Sequence, residues 1–298
     1  MLSREKLEAE GLITNKTPAV YDPLFTKLLK GLPWASWFES EDPLNCRLNY
    51  LETYSGWIQK TQLNKVLGLE RFHRTDLING TTQTFDEAYF KYASKRLRVF
   101  RGEYAYHRRV FLNHAFIEDE PLASNDFVIV SAPFCSSGEV HPRMQRILDQ
   151  AHELKIPVIV DAAYFGTCYG LTLDFTHPAI ESVSFSLTKG SGLGHIRSGI
   201  RFSNLDDQNP ICQQNNYNHT ILAAAKIGLH MMANLEPDHI PLKYMQIQQS
   251  LCQELGLHAS PCIHLALGDD AWEAHRIDGR YNRIGLTHLI RERRKGLL

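Results

Sequence analysis

The sequence predicts an α/β protein whose mostly parallel sheet is covered by helices, followed by a smaller α+β unit. Three observations carry this. Two short apolar runs, "DFVIVSAPF" and "IPVIVDAAYFG", flank "PRMQRILDQAHELK", whose Met144, Ile147, Leu148, Ala151 and Leu154 share one helical face. Strand, helix and strand within about 35 residues make a βαβ unit with a right-handed crossover. "SVSFSL" and "GIRFS" add two strands that are apolar on both faces, as in a sheet covered by helices.

Taken in order, residues 1–45 read as an irregular N-terminal arm punctuated by Pro18, Pro23, Pro33 and Pro43. Its Trp34, Trp37 and Phe38 are expected to pack on the small domain or on a partner subunit. A helix is expected over residues 59–67. The stretch "TTQTFDEAYFKYASKR" sets Phe85, Tyr89 and Tyr92 at helical spacing. Residues 46–209 then form the large domain. Beyond them "NHTILAAAKIGLHMMANL" and "IPLKYMQIQQSLCQELGL" read as long helices, and "PCIHLAL" and "RIGLTHLI" as strands. Residues 210–298 form a reduced C-terminal small domain.

Composition narrows the function. The 298 residues carry 32 Lys+Arg against 33 Asp+Glu, a net charge of -1, which gives no electrostatic case for nucleic acid or a membrane surface as partner. The six cysteines show no CxxC pair and no zinc-ligand spacing, so they read as reduced, packed thiols of a cytoplasmic protein with no metal centre. "MLSREKLEAE" lacks the apolar stretch of a signal peptide, and no apolar run is long enough for a membrane span. The basic "RERRKG" reads as a solvated helix end.

Open α/β sheets keep their ligands at the carboxyl ends of their strands. Two polar groups occupy such ends: Asp161, closing "VIVD", and Lys189, following "SFSLT". The aspartate would also serve as a simple turn cap. A lysine among glycines after a buried strand has no packing role; losing solvent lowers its pKa and makes it a nucleophilic amine. Ser186, Ser191, Arg197 and the amides freed by Gly190, Gly192 and Gly194 suit a phosphate, and a phosphate nest without covalent chemistry is the competing reading. Earlier, "INGTTQTF" puts Gly80, Thr81 and Thr82 at a helix start, a second anion site. A phosphate, an amine-reactive group and a carboxylate for a ring nitrogen together match pyridoxal 5'-phosphate (PLP).

The chain resembles the fold-type I PLP-dependent enzymes of the class I/II aminotransferase superfamily. "SFSLTKGSGLGHIRSG" resembles their Ser-x-x-Lys with an arginine eight residues on. The resemblance implies Lys189 as the Schiff-base lysine and Ser186 and Arg197 as phosphate ligands. "VDAAYFG" resembles Asp-x-x-Tyr, implying Asp161 at the pyridine nitrogen and Tyr164 at the phenolic oxygen. "NGTTQ" resembles the phosphate loop, with Gly80, Thr81 and Thr82. "FRGEYAYHRRVF" resembles the stretch supplying the ring-stacking aromatic, here Tyr104, and "RIGLTHLI" the strand whose arginine, here Arg283, grips the substrate α-carboxylate. Tyr54, in "YLETYSGWIQKTQL", resembles the tyrosine that reaches the neighbouring subunit's phosphate, which implies a homodimer with shared active sites.

The fold so implied is a three-layer α/β/α large domain with a mostly parallel sheet plus a reduced α+β small domain, in an unusually short member. One departure bears on chemistry: "SAPFCSSG" places Cys135 where the family carries an asparagine bonded to the cofactor's phenolic oxygen. A thiol is a weak donor there. The implied activity is aminotransfer on an α-amino acid or derived amine. Lyase, decarboxylase or oxidase chemistry uses the same inventory, and a non-catalytic PLP-binding protein is the alternative of a different class. His195, within the glycine loop, would contact substrate or cap the loop.

Overall fold

Acidic and hydroxyl caps turn much of the proline-rich N-terminus into helix. Asp22 Oδ1 accepts the Leu24 amide at 2.8 Å and Asp42 Oδ1 the Leu44 amide at 2.9 Å. Pro23 and Pro43 therefore open helices, where a missing N–H costs nothing. The arm expected to be irregular contains α1 (Arg4–Ala9), α2 (Pro23–Lys30) and α3 (Ser36–Glu39), and α4 (Pro43–Gln59) begins within it. The computed structural model describes residues 3–33, 36–39, 42–206, 208–278 and 280–298. Trp34 and the Phe38 side chain, of the expected aromatic group, lie outside the described residues. The helix expected over 59–67 is not there. α4 ends at Gln59, and β1 (Lys65–Leu67) follows, paired in parallel with β7 (Thr172–Asp174).

The central sheet is made of β2 (Arg74–Ile78), β3 (Arg96–Val99), β4 (His114–Phe116), β5 (Asp126–Ser131), β6 (Val158–Ala162), β8 (Ile180–Ser186) and β9 (Gly199–Ser203). Their order is β2–β9–β8–β6–β5–β3–β4, and of the seven only β9 runs against the rest. The expected mostly parallel sheet is thus present. Side chains alternate faces along a strand. From β5, Phe127 and Ile129 join Phe85, Ala88 and Tyr89 of α5 (Thr81–Lys91). Val128 and Val130 instead join the cluster that holds Met144, Ile147 and Leu148 of α7 (Met144–Glu153). Helices on both faces make three layers. Leu154, expected on the buried side of that helix, caps its C-terminus and is exposed.

A buried ion cluster fixes the middle of α5 against the sheet edge. Arg201 of β9 donates to Asp76 of β2 at 2.8 Å and to Glu87 of α5, all three side chains being inaccessible or nearly so. Glu87 also accepts the Ile211 amide at 2.6 Å, which ties in α9 (Pro210–Asn216).

The tail forms α10 (Leu222–Asn234), α11 (His239–Leu255) and a four-stranded antiparallel sheet. Its strands are β10 (His258–Ala259), β11 (Leu265–Gly268), β12 (Arg276–Ile277) and β13 (Tyr281–Gly285), in the order β10–β11–β13–β12. "RIGLTHLI" is only half strand. It leaves β13 at Gly285, and α12 (Thr287–Arg294) follows with Arg291, Arg293 and Arg294 in its last turn. All six cysteines are free and buried, as expected. Among the described residues no helix is long and apolar enough to cross a membrane.

Candidate active site

Because β2, β5, β6 and β8 run parallel, their carboxyl ends share one edge of the sheet, and β9 enters from that same edge. A cavity of about 990 Å³ lies there, at the upper end of the range for small-molecule sites. It is lined by Thr81, Thr82, Tyr104, Cys135, Asp161, Tyr164, Ser186, Lys189, Arg197 and Arg283, ten of the twelve expected site residues. Gly80 flanks it.

Lys189 sits on the one-turn helix α8 (Leu187–Gly190), which Ser186 starts by accepting the Thr188 amide at 3.1 Å. Gly190 lets this turn rest on the chain after β6, since a Cβ there would lie 2.6 Å from Gly166 Cα. The Lys189 ammonium donates to the Thr17 carbonyl, and burial pulls its pKa below the ordinary lysine value. Asp161, in β6, is 7% exposed. Its Oδ1 accepts the Ala163 amide at 2.9 Å and the Thr81 hydroxyl bonds to it, yet burial pushes its pKa up to about 6. No cation forms an ion pair with it among the described residues. The Tyr164 hydroxyl lies 3.0 Å from Thr17 Oγ1 and 3.7 Å from Cys135 Sγ, and burial pushes it well above the usual phenol range.

At the other end, Arg197 Nη2 donates to Thr82 Oγ1 at 2.9 Å. It reaches that position through a left-handed backbone (φ 61°), a conformation costly for arginine and common where a site imposes geometry. Gly80 also has φ 73°, and a Cβ added to it would sit 2.8 Å from Arg197 Nη2. Gly80→Ala should therefore destabilise the protein by about 1–3 kcal/mol and displace the guanidinium. Chemical denaturation measures the first effect, and phosphate or PLP affinity the second.

The remaining residues fall in less expected surroundings. Tyr104 is 43% exposed at the cavity wall, stacked on Tyr106 at 5.9 Å and edge-on to His107. Arg283 Nη1 donates to the Cys135 carbonyl at 3.0 Å and Nη2 to the Asn15 carbonyl at 2.8 Å. Ser186 spends its hydroxyl locally, 2.8 Å from Thr188 Oγ1. His195 is exposed and outside the cavity lining.

Tyr54 requires correction. It is 1% exposed inside α4, edge-on to Tyr50 at 5.6 Å and to Trp57 at 5.8 Å, and does not line the cavity. A ring packed into the core cannot extend to a second subunit. Tyr50 bonds Ser198 Oγ at 2.7 Å and the Gly199 carbonyl at 3.1 Å, next in the chain to Arg197.

Two parts of the site escaped sequence reasoning. One is the segment from Thr14 to Pro18, which lines the cavity and is held by β13 through the Gly285 amide on the Thr14 carbonyl at 2.7 Å. The other is Glu103, a buried acid in the cavity wall. Its only signal was its place beside Tyr104 in "FRGEY".

The donor set fits PLP on four counts. Gly80, having no Cβ, lets the Arg197 guanidinium stand close to the start of α5, where the first amides of that helix lack a side-chain cap. Arg197 has no carboxylate partner among the described residues. Lys189 is an amine with a depressed pKa, and Asp161 is a buried acid in no ion pair among the described residues.

No family model matches the chain, and no curated protein matches it. Solved structures do. The chain is similar to an aromatic aminotransferase from Pyrococcus horikoshii, with a TM-score of 0.64 at 12% identity over 95% of each chain. It is similar to an aspartate aminotransferase from Thermotoga maritima, with a TM-score of 0.63 at 13% identity over 98% of this chain and 94% of that one. A PLP-bound C-S lyase from Staphylococcus hominis gives 0.58 at 11% identity over 83% and 81%. The fold is that of the PLP-dependent aminotransferases.

Proposed function

We propose that this chain is a PLP-dependent enzyme that acts on an α-amino acid or an amine derived from one, by aminotransfer. The observation that carries the reading is the convergence of Lys189, Asp161 and the Thr82–Arg197 pair on one cavity. Arg197, Thr81, Thr82 and the amides at the start of α5 would hold the phosphate, and Asp161 the ring nitrogen. When bound, PLP supplies an aldehyde that joins an amine and a ring that accepts the electrons released at Cα.

The residues of the chain do the rest. Asp161 holds the proton at the ring nitrogen. Tyr164 donates its hydroxyl to the ring's phenolic oxygen, with Cys135 beside it in place of a stronger amide donor. Lys189 Nζ takes the proton from the substrate Cα and redelivers it, a task for which a depressed pKa suits an amine. Arg283 exchanges the Asn15 and Cys135 carbonyls for the substrate carboxylate, and a bidentate grip there fixes which Cα bond is broken. The Thr14–Pro18 segment lines the cavity beside Lys189 and offers the Thr17 carbonyl to its amine.

The neighbouring C-S lyase favours a second reading, elimination across Cα and Cβ by the same residues. A cytoplasmic homodimer belongs to the proposal as well, with the chain divided into arm (1–45), large domain (46–209) and small domain (210–298). Analytical ultracentrifugation tests the dimer.

The deciding experiment adds PLP to the purified chain, reduces with borohydride and maps the label by peptide mass. A label on Lys189 supports the reading; a label elsewhere, or none, removes it. A single-turnover panel of amino acids then separates the chemistries. Stoichiometric keto acid means aminotransfer, and ammonia with an unsaturated product means elimination. Arg283→Ala should raise KM for α-amino acids about 10- to 100-fold, the worth of hydrogen bonds to a charged group, while leaving the Lys189 label intact.

A further inference from the structure

The proposed chemistry leaves one buried acid of the cavity without a role. Glu103 is 2% exposed and lines the cavity wall. Its Oε2 accepts the Ser131 amide at 3.0 Å, and its Oε1 accepts the Tyr104 amide at 3.1 Å together with the Ser131 hydroxyl. Three donors hold the carboxyl in one orientation. Among the described residues no lysine, arginine or histidine pairs with it, an exception to the rule that buried acids sit beside cations.

Its position gives it a task. Ser131 ends β5, and its register partner across the parallel pairing is Asp161 of β6. Neighbouring strands lie about 4.8 Å apart, so Glu103 is fastened to the residue next to Asp161. Both acids open on the same cavity. The two residues that lead into Glu103 are themselves anchored. Glu118 accepts the Arg101 amide at 3.1 Å, and Asp278 accepts the Gly102 amide at 3.1 Å.

We propose that Glu103 is a positioning residue of the ring-nitrogen pocket, a second carboxylate that acts through Asp161 to favour the protonated ring nitrogen. The proposal rests on the PLP reading given above. Two buried carboxyls that line one cavity and share the Ser131–Asp161 strand pairing raise the cost of ionising both, which favours a retained proton in the free protein. Burial pushes Glu103 up to about 7 against the three donors that favour its ionised form, and the Asp161 charge adds a small push in the same direction. With PLP bound, Asp161 would hold the ring-nitrogen proton, and the Glu103 charge would favour that proton through Asp161.

The other titratable groups around the two acids do not supply this charge. Burial keeps the Tyr104 phenol and the Cys135 thiol protonated and His107 neutral. The Lys189 and Arg197 charges act on Asp161 in the opposite sense, lowering its pKa against burial.

The test uses PLP labelled with ¹⁵N in the ring, loaded on the full chain and on Glu103→Gln, with the ring-nitrogen shift followed against pH. In Glu103→Gln the nitrogen should lose its proton at least half a pH unit lower, about a threefold change in the equilibrium. Glu103→Asp should restore most of the difference. Superimposable titrations in proteins labelled at Lys189 overturn the proposal alone. A wild-type chain that takes up no PLP overturns the functional reading and this inference together. Should Glu103→Gln fail to fold, the unsubstituted protein decides. Its ¹³C-labelled Glu103 carboxyl signal should move toward the ionised position when PLP is added, and an unmoved signal overturns the assignment.

Discussion

Lys189→Ala should give a folded protein that carries no covalent label after PLP and borohydride, with turnover of an amino substrate reduced about 10²- to 10⁴-fold. That is the range commanded by one positioned proton-transfer group. The fold should survive because the side chain faces the cavity and its one described hydrogen bond, to the Thr17 carbonyl, leaves an acceptor that water entering the cavity can satisfy. Stability offers an independent check with a definite sign. The folded pKa of Lys189 is depressed, so above that value the unfolded chain binds more protons than the folded one. Stability of the PLP-free protein should therefore rise with pH from the depressed value up to the ordinary lysine value. Lys189→Met should abolish this rise. Borohydride labelling, single-turnover rates and denaturation at several pH values measure the three effects.

Asp161→Asn should trade function for stability. Loss of one preorganised charge at the ring nitrogen is expected to cost about 10²- to 10³-fold in rate. The PLP-free variant, however, should be more stable than the wild type at neutral pH. Burial raises the Asp161 carboxyl from 3.8 to about 6, so between those values the folded protein binds more protons than the unfolded chain. Stability of the wild type then falls as pH rises through that window, by about 3 kcal/mol at roughly 1.4 kcal/mol for each pH unit. Asparagine cannot ionise, and its carbonyl can still accept the Ala163 amide. The variant should therefore melt above the wild type at pH 7, and the gap should close below about pH 4. Equal melting at both pH values would mean that Asp161 carries no buried charge in the free protein. Loss of stability at pH 7 would mean that the carboxylate is a structural anchor.

Local pattern made the core of the sheet legible. β5, β6 and β8 are short and apolar on both faces, and α7 shows its buried stripe in Met144, Ile147, Leu148 and Ala151, so each could be read before its neighbours were known. The same logic brought Asp161 and Lys189 to strand ends. Proline proved a poor guide in the arm, because its effect depends on whether an N-cap precedes it. Asp22 and Asp42 made Pro23 and Pro43 helix starts where breaks were expected. β1 is only three residues long and exists because β7 pairs with it, which no local period records. The helix after β13, α12 (Thr287–Arg294), was likewise hidden within a stretch that reads as apolar strand.

The amino-acid sequence alone determined the sheet's main strands, the lysine, aspartate and glycine–threonine motifs, and the chemistry those residue types can perform. Each depends on residues close together in the chain, where periodicity and spacing carry the information. Only the tertiary structure decided which side chains share the cavity. It withdrew Tyr54 into the core, laid Thr17 against both Lys189 and Tyr164, and brought Arg283 onto the carbonyls of Asn15 and Cys135. It also buried Glu103 beside the strand partner of Asp161. The physical reason is common to all four. Burial and charge are set by groups that approach through space from distant parts of the chain, and an acid becomes unusual only when solvent is removed and another acid stands next to it.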